Sequence, residues 1–437
     1  MVAGDNESVL KQVVKGRIQK GGHMKKRTFL STILWACLIL NPVLSSAADN
    51  PKEFKLGFIT SLSGTFAAVA ETQKKGVLLA VDQINAKGGL NMPWGKVKVE
   101  VITKDDEAKL DVGVRRFREL IAEGANGVTG TTWNPMAAAF NEECKITPIP
   151  FFPGCVPAID SFKKGNMADC TFSVAFTPWS IGYLGGAIIS KNLDKKKIYS
   201  LSRADSWGKT IREGLAEALK VYGGEVIGVS ESPQGTIDYT SFINKAKSMK
   251  PDVFYNDFFA GDSIASFKQA YELGLYKTST MFSAFITNVV GSGIPENALA
   301  GLYALIYYYY DLSNFEDRDV ATRAKEYTEA HMKKWGEPPD AYGTIAYIAC
   351  ELMFKGIEKA GSFDAKKVSK AIMDSKDLSS VKGPVFFRED HEMVSKYAAF
   401  LVKGKEPKEK KGKWDLFKVE GYFGGEAALP PLKMLGF

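Results

Sequence analysis

Residues 54–89 read FKLGFITSLSGTFAAVAETQKKGVLLAVDQINAKGG. The first seven form an apolar run short enough for a buried strand, and SLSG (61–64) carries turn chemistry. Beyond the turn, Val77, Val81 and Ile84 recur at the three-to-four spacing of one helix face. Gly88 and Gly89 then supply a helix stop, because only glycine enters the left-handed region without steric cost. A strand, a tight turn and an amphipathic helix in direct succession are the first half of a βαβ unit. Such a unit forces a parallel sheet with helices packed on its faces.

Outward from this stretch the rhythm repeats. VKVEVIT (97–103) alternates as a second strand, and DVGVRRFRELIAEG (111–124) is amphipathic, with Val114, Phe117 and Ile121 expected to face inward. NGVTG (126–130) and ITPIPFF (146–152) complete a first set. The pattern restarts after residue 173 with KIYSLSR (197–203), a helix over 207–224, and the strands EVIGVSE (225–231), DVFYNDF (252–258) and TMFSAF (280–285). Two sets in a chain of 437 residues predict an α/β protein of two Rossmann-like lobes, each with its own core. Ligands of open α/β sheets bind beyond the carboxyl ends of the strands, so the strand-to-helix loops are where function is sought.

The N-terminus stands apart. From Met24 the chain has a basic start (Lys25, Lys26, Arg27), an apolar run from Phe29 to Leu40 and small residues at 45–48. That is the grammar of a secretory signal, with cleavage expected after Ala47 or Ala48, and residues 1–23 read as an upstream lead-in. The rival is a lipoprotein signal ending at Cys37. The apolar run is too short to span a hydrocarbon core of about 30 Å, and no later segment is apolar enough, so no membrane span is expected in the mature protein. Residues 1–48 hold seven Lys/Arg and two acids, so the formal charge of +7 falls to +2 on cleavage. The basic balance is therefore no nucleic-acid footprint.

Four cysteines remain: Cys144, Cys155, Cys170 and Cys350. In an oxidising compartment Cys155 and Cys170 are expected to close the loop CVPAIDSFKKGNMADC, the alternative being two buried thiols. None has zinc-site spacing, and no cofactor motif is present.

The segments 57–89 and KDDEAK (104–109) resemble the opening of periplasmic substrate-binding proteins of ABC importers, branched-chain amino acid type. Residues 223–255 are similar to that family's second-lobe core, and 335–361 to its return segment. The likeness covers roughly residues 54–400 in the right order. It implies a type I fold with three crossovers near 173–177, 301–308 and 381–388. Lobe 1 would take 54–173 and 302–381, and lobe 2 would take 174–301 and 382–437. It also implies hinge closure over a small molecule and delivery to a membrane permease, or, as the rival, to a signalling partner.

Carried over position by position, the family's amino-acid readout breaks down here. The serine-rich second loop becomes TTWNP, with Trp133 and Asn134. The third loop keeps Gly154 and Cys155 but has Val156 for a threonine. The acid that would hold an α-ammonium becomes Ala284 beside Phe285, and two tyrosines become Trp207 and Phe259. An enclosed ammonium without an acid costs several kcal/mol. The residues expected to line the site are Ser63, Gly64, Trp133, Asn134, Gly154, Cys155, Val156, Arg203, Trp207, Phe259, Phe285 and Tyr342. Rings would stack on an aromatic ligand, and loop amides with Arg203 would hold its carboxylate. Asp257, if it faced the cleft, would instead suit an aryl or quaternary cation.

Catalytic signatures do not accompany these features. The chain has three histidines, none near the expected loops, and SWGK (206–209) lacks the companion motifs of a serine hydrolase. The paired acids Asp105 and Asp106 read as structural. The expectation is a binding protein.

Overall fold

The structure, a computed structural model, describes residues 50–64 and 66–437. The expected secretory segment, with its cleavage site and Cys37, lies outside the described residues. Strands β1 (Glu53–Thr60), β2 (Leu90–Met92), β3 (Gly95–Asp105), β4 (Gly127–Gly130) and β5 (Phe151–Pro153) come first. β6 (Lys197–Arg203), β7 (Glu225–Ser232), β8 (Val253–Asn256), β9 (Thr280–Ile286) and β10 (Tyr303–Ile306) follow. The chain then adds β11 (Leu378–Ser380), β12 (Gly383–Phe387), β13 (Met393–Ser395), β14 (Ala399–Gly404) and β15 (Phe417–Phe423).

The first sheet has the order β2-β3-β1-β4-β5, parallel except for the β2–β3 hairpin. The second has the order β15-β14-β10-β9-β8-β6-β7, parallel from β10 to β7, with β14 and β15 added antiparallel. In each sheet the order doubles back around its first strand, so loops diverge at the carboxyl ends and leave a crevice. β11–β13 form a small antiparallel sheet of their own.

Two details shift the expected boundaries. β10 belongs to the second sheet, so the return to the first lobe begins after Ile306 rather than at residue 302. The third boundary, expected at 381, falls within the small sheet. The 110–122 helix also turns slightly from its expected face. It buries Val112, Phe117 and Leu120 and leaves Val114 and Ile121 half-buried, because the ring of Phe117 stacks on Phe140 at 4.7 Å and fixes the rotation.

Three crossings join the lobes, and buried polar atoms knit them together. Lys382, with no exposed surface, donates from Nζ to the carbonyls of Tyr307 (2.9 Å) and Ala398 (2.6 Å). The Tyr307 hydroxyl donates to the Val174 carbonyl at 2.8 Å. Burial holds the Lys382 ammonium well below its usual range, and its Nζ sits 3.5 Å from the Tyr307 ring centroid. The first crossing is further bound by Ser173, whose amide donates to His391 O at 3.0 Å and whose carbonyl accepts from Met393 N at 2.9 Å. The hydroxyls of Tyr308 and Tyr309 point elsewhere, to Ala324 O and to the Phe417 amide.

The first lobe depends on a close helix crossing. The helices Ala67–Ala86 and Ala341–Ala360 meet at Gly76 and Gly343. A Cβ on Gly76 would lie 2.0 Å from Gly343 O, and one on Gly343 would lie 2.6 Å from Thr72 O. Neither backbone can yield without parting the helices. Gly76→Ala is therefore expected to destabilise the protein by about 1–3 kcal/mol, read as a lower urea midpoint at unchanged slope.

Candidate ligand site between the lobes

Four rings from different parts of the chain converge between the sheets. Phe285 ends near the last residue of β9, and Phe259 caps the helix Ala260–Glu272 after β8. Tyr342 opens the Ala341–Ala360 helix of the other lobe, and Phe176 lies on the first crossing. Phe259 stacks on Tyr342 across the lobe junction at 5.3 Å and 26°. Phe285 is 5.9 Å from Phe259 and 6.0 Å from Tyr342, and Phe176 meets Phe285 edge-on at 5.9 Å. All four are less than one-tenth exposed. These spacings are those of favourable offset and edge-to-face ring pairs. Phe176 was not anticipated; an aromatic immediately after a crossover is the only local signal for it.

A charge sits beside the rings. Arg203, the last residue of β6, is 7% exposed, and its Nη2 pairs with Asp205. Its Nε–H is buried and has no partner among the described residues. Burial pushes the Tyr342 hydroxyl above its ordinary value, opposed by the Val156 amide and the Arg203 charge. The Val156 amide and the Arg203 charge, one from each lobe, thus both bear on the Tyr342 hydroxyl. A buried, unpaired donor such as Arg203 Nε–H costs about 1–3 kcal/mol, more when charged.

The lobes also touch through hydrogen bonds. Asp340 accepts from Tyr342 N at 2.9 Å within its own helix cap, and from Val289 N at 3.0 Å in the opposite lobe. Asn288 Nδ2 donates to Pro339 O at 3.1 Å. Burial raises the Asp340 carboxyl, and the surrounding amides counter this. One carboxylate therefore caps helix starts from both lobes.

Several expected residues lie elsewhere. Trp133 is half-buried against Ile59, Phe117, Met136 and Phe140 of its own lobe, where it precedes the Asn134–Ile146 helix, and it joins no ring pair with the other aromatics. Asn134 is buried in the first turn of that helix. Trp207 donates its indole N–H to Asp257 O at 2.8 Å and packs into the second lobe. Asp257 accepts from Arg203 N (2.8 Å) and Ser202 Oγ (2.5 Å), so its carboxylate is engaged inside the lobe rather than offered to a cation. Gly154 donates its amide to Gly130 O at 2.7 Å, which removes it from ligand contact, while Cys155 is fully buried beside Val156. Ser63 and Gly64 are exposed, and the Ser63 amide leans on Asp105 at 3.4 Å. Asp105 and Asp106 accept loop amides and the Ser61 hydroxyl, a structural use.

The expected Cys155–Cys170 bridge is not formed; both are free thiols. They face different cores. Cys155 packs in the main cluster, whereas Cys170 lies with Cys144 under the helices 110–122 and 134–146.

Two sheet-and-helix lobes tied by three crossings, with aromatic rings meeting at their junction, are the architecture of a two-lobed binding protein. The chain belongs to the periplasmic binding protein family, whose model matches residues 53–411. It is 25% identical over 346 residues to Leu/Ile/Val-binding protein homolog 7 of Brucella suis biovar 1, covering 76% of this chain and 83% of that protein. Among solved structures, it is similar to the amino acid ABC transporter substrate-binding protein of Pseudomonas fluorescens Pf-5. There the identity is 22% and the TM-score 0.77, over 88% of this chain and 98% of the other. It is also similar to an ABC transporter solute-binding protein of Rhodopseudomonas palustris BisB5 in complex with 3,4-dihydroxybenzoic acid. For that protein the identity is 22% and the TM-score 0.73, over 86% and 98%. The family is extracytoplasmic and serves ABC transporters, so a small-molecule ligand and a permease partner come with membership. Its fold is that of transport receptors rather than enzymes, and no helix among the described residues is long and apolar enough to cross a membrane.

Burial raises the Asp257 carboxyl to about 7, opposed by Ser202, the Arg203 amide and the charges of Arg212 and Arg203. The native state therefore binds a proton that the unfolded chain, near 3.9, has released. Stability is accordingly expected to fall as pH rises from about 4 to 7 and then to level off. Asp257→Asn, which keeps an acceptor for Arg203 N but turns a donor toward Ser202 Oγ, should abolish this fall, worth on the order of 2–4 kcal/mol over the range, measured by unfolding at each pH.

Proposed function

We propose that this protein is the receptor of an ABC importer that captures a small aromatic carboxylate, of benzoate or cinnamate type, by hinge closure. The observation that carries the reading is the Phe259–Phe285–Tyr342 ring cluster, together with the buried, unpartnered Nε of Arg203, whose guanidinium lies 5.6 Å from the Trp207 ring and whose charge acts on Tyr342. Rings on both sides of the junction offer stacking surface, and the guanidinium with the Val156 amide offers a carboxylate its partners. The carboxylates of Asp257 and Asp340 are already engaged, Asp257 by Ser202 and Arg203 and Asp340 by helix-start amides, so neither is offered to an α-ammonium. A relative fold that holds 3,4-dihydroxybenzoic acid supports such a ligand fitting this architecture.

In this reading the ligand first docks on Tyr342 and Val156 of the first lobe. Closure then brings Arg203, Phe259 and Phe285 over it, and Val289 reaches Asp340. Ligand contacts from both lobes supply the free-energy difference between open and closed forms. The closed surface is what the permease reads.

A thermal-shift screen of the mature protein tests the ligand class. Aromatic acids should raise the Tm through binding linkage, while leucine, isoleucine, valine and quaternary amines should not. A shift of several degrees with leucine and none with any aromatic acid would overturn the reading in favour of the branched-chain ligands that the Brucella relative is named for. Arg203→Met is expected to weaken aromatic-acid binding by about 10–100-fold in calorimetry, the worth of a charge-assisted hydrogen bond.

Asp340→Asn keeps an acceptor for the Tyr342 amide but offers Val289 a weaker partner or none. It should speed ligand dissociation by roughly 5–30-fold with little change in association rate, measured by stopped flow. An unchanged dissociation rate would remove Asp340 from the closure step.

A further inference from the structure

Cys144 and Cys170 lie together although 26 positions separate them in sequence. Cys144 sits near the end of the Asn134–Ile146 helix, and the Cys170 thiol approaches its carbonyl at 3.8 Å. Both residues also line one cavity of about 200 Å³ with Met167, Pro148 and Ser369. Both are buried, at 1% and 3% exposure, in the same apolar cluster. The backbone around them is already set. Asn141 holds Asn166 O at 2.8 Å and Ala168 N at 3.0 Å, while Phe151 N donates to Cys170 O at 2.9 Å. Facing thiols on pre-positioned backbone, in a family that works in an extracytoplasmic and hence oxidising compartment, are set for oxidation.

We propose that Cys144 and Cys170 form a disulfide in the exported protein. The bond pins the Asn134–Ile146 helix to the segment that enters the first crossing. The step is thiol–disulfide exchange with a disulfide-bearing protein oxidant. The Cys170 thiolate attacks the oxidant's disulfide and expels one of its sulfurs as a thiol. Cys144, losing its proton, then displaces the second sulfur. Two thiols of this chain lose two protons and two electrons, and the oxidant gains both as two thiols. The hydrogen bond from Cys144 holds the Cys170 thiol below its ordinary value, which suits it to the first attack. The link leaves Cys155 out and fixes the lobe-1 end of the crossing, so that bending on closure falls beyond Ser173, where the hinge hydrogen bonds to His391 and Met393 lie.

Trypsin separates all four cysteines, placing Cys144 on 119–145, Cys155 on 146–163, Cys170 on 165–191 and Cys350 on 335–355. The full-length chain is exported, denatured without reductant, alkylated and digested. Mass spectrometry should show 119–145 linked to 165–191, with Cys155 and Cys350 alkylated. Alkylation of all four cysteines, or a link from 146–163, overturns the proposal. As a second measure, a phosphine reductant should lower the Tm of the native protein by about 3–8 °C, as expected for opening a loop of this length. The same reductant should leave a Cys144→Ser/Cys170→Ser variant unmoved, whereas an equal fall in that variant counts against the bond.

Discussion

A buried lysine amine holding three crossing strands is the constraint on which this molecule turns. Lys382 bonds the carbonyls of Tyr307 and Ala398, and Tyr307 in turn bonds Val174. Side chains of the second and third crossings and a backbone carbonyl of the first are tied together, none of them part of either main sheet. The ties are side chain to backbone. Burial in apolar surroundings makes each of these bonds costly to break, since any freed polar atom would stay dry.

The junction between the lobes shows how closure and recognition share residues. Tyr342 offers its ring to Phe259 and its amide to Asp340, while Asp340 also receives Val289 from the opposite lobe. Ring contact and helix capping therefore change together when the lobes part. The close helix crossing at Gly76 and Gly343 sits one residue from Tyr342, so the position of that ring follows from a backbone packing that admits no Cβ. Arg203 leaves a buried donor unpartnered at 7% exposure, and Asn288 at the same junction leaves its Oδ1 so. Natural interiors rarely carry such a group without a use.

Much of this was legible in order but not in contact. The run from Phe54 to Gly89 announced its strand, turn and helix, and Arg203, Phe259, Phe285 and Tyr342 were expected near the cleft from their loops. Trp133, expected at the cleft, is half-buried against the first-lobe cluster that the helix after it also joins. Asp257 and Trp207, expected at the cleft, turn inward, Trp207 donating its indole N–H to Asp257 O and the Asp257 carboxylate accepting from Arg203 N. Cys170 was expected against Cys155 from nearness in sequence, but the two thiols are free and fall in different cores, with β5 running between them.

The amino-acid sequence by itself determined the alternation of strand and helix, the two lobes and the loops that face the crevice, because hydrophobic periodicity and glycine stops are local properties. Tertiary structure alone decided which rings meet across the junction, which thiols adjoin and which carboxylates remain free. Loop residues have no period to read. Their side chains take whichever side the packing of distant elements leaves open, as when Phe259 and Tyr342 stack across the lobes.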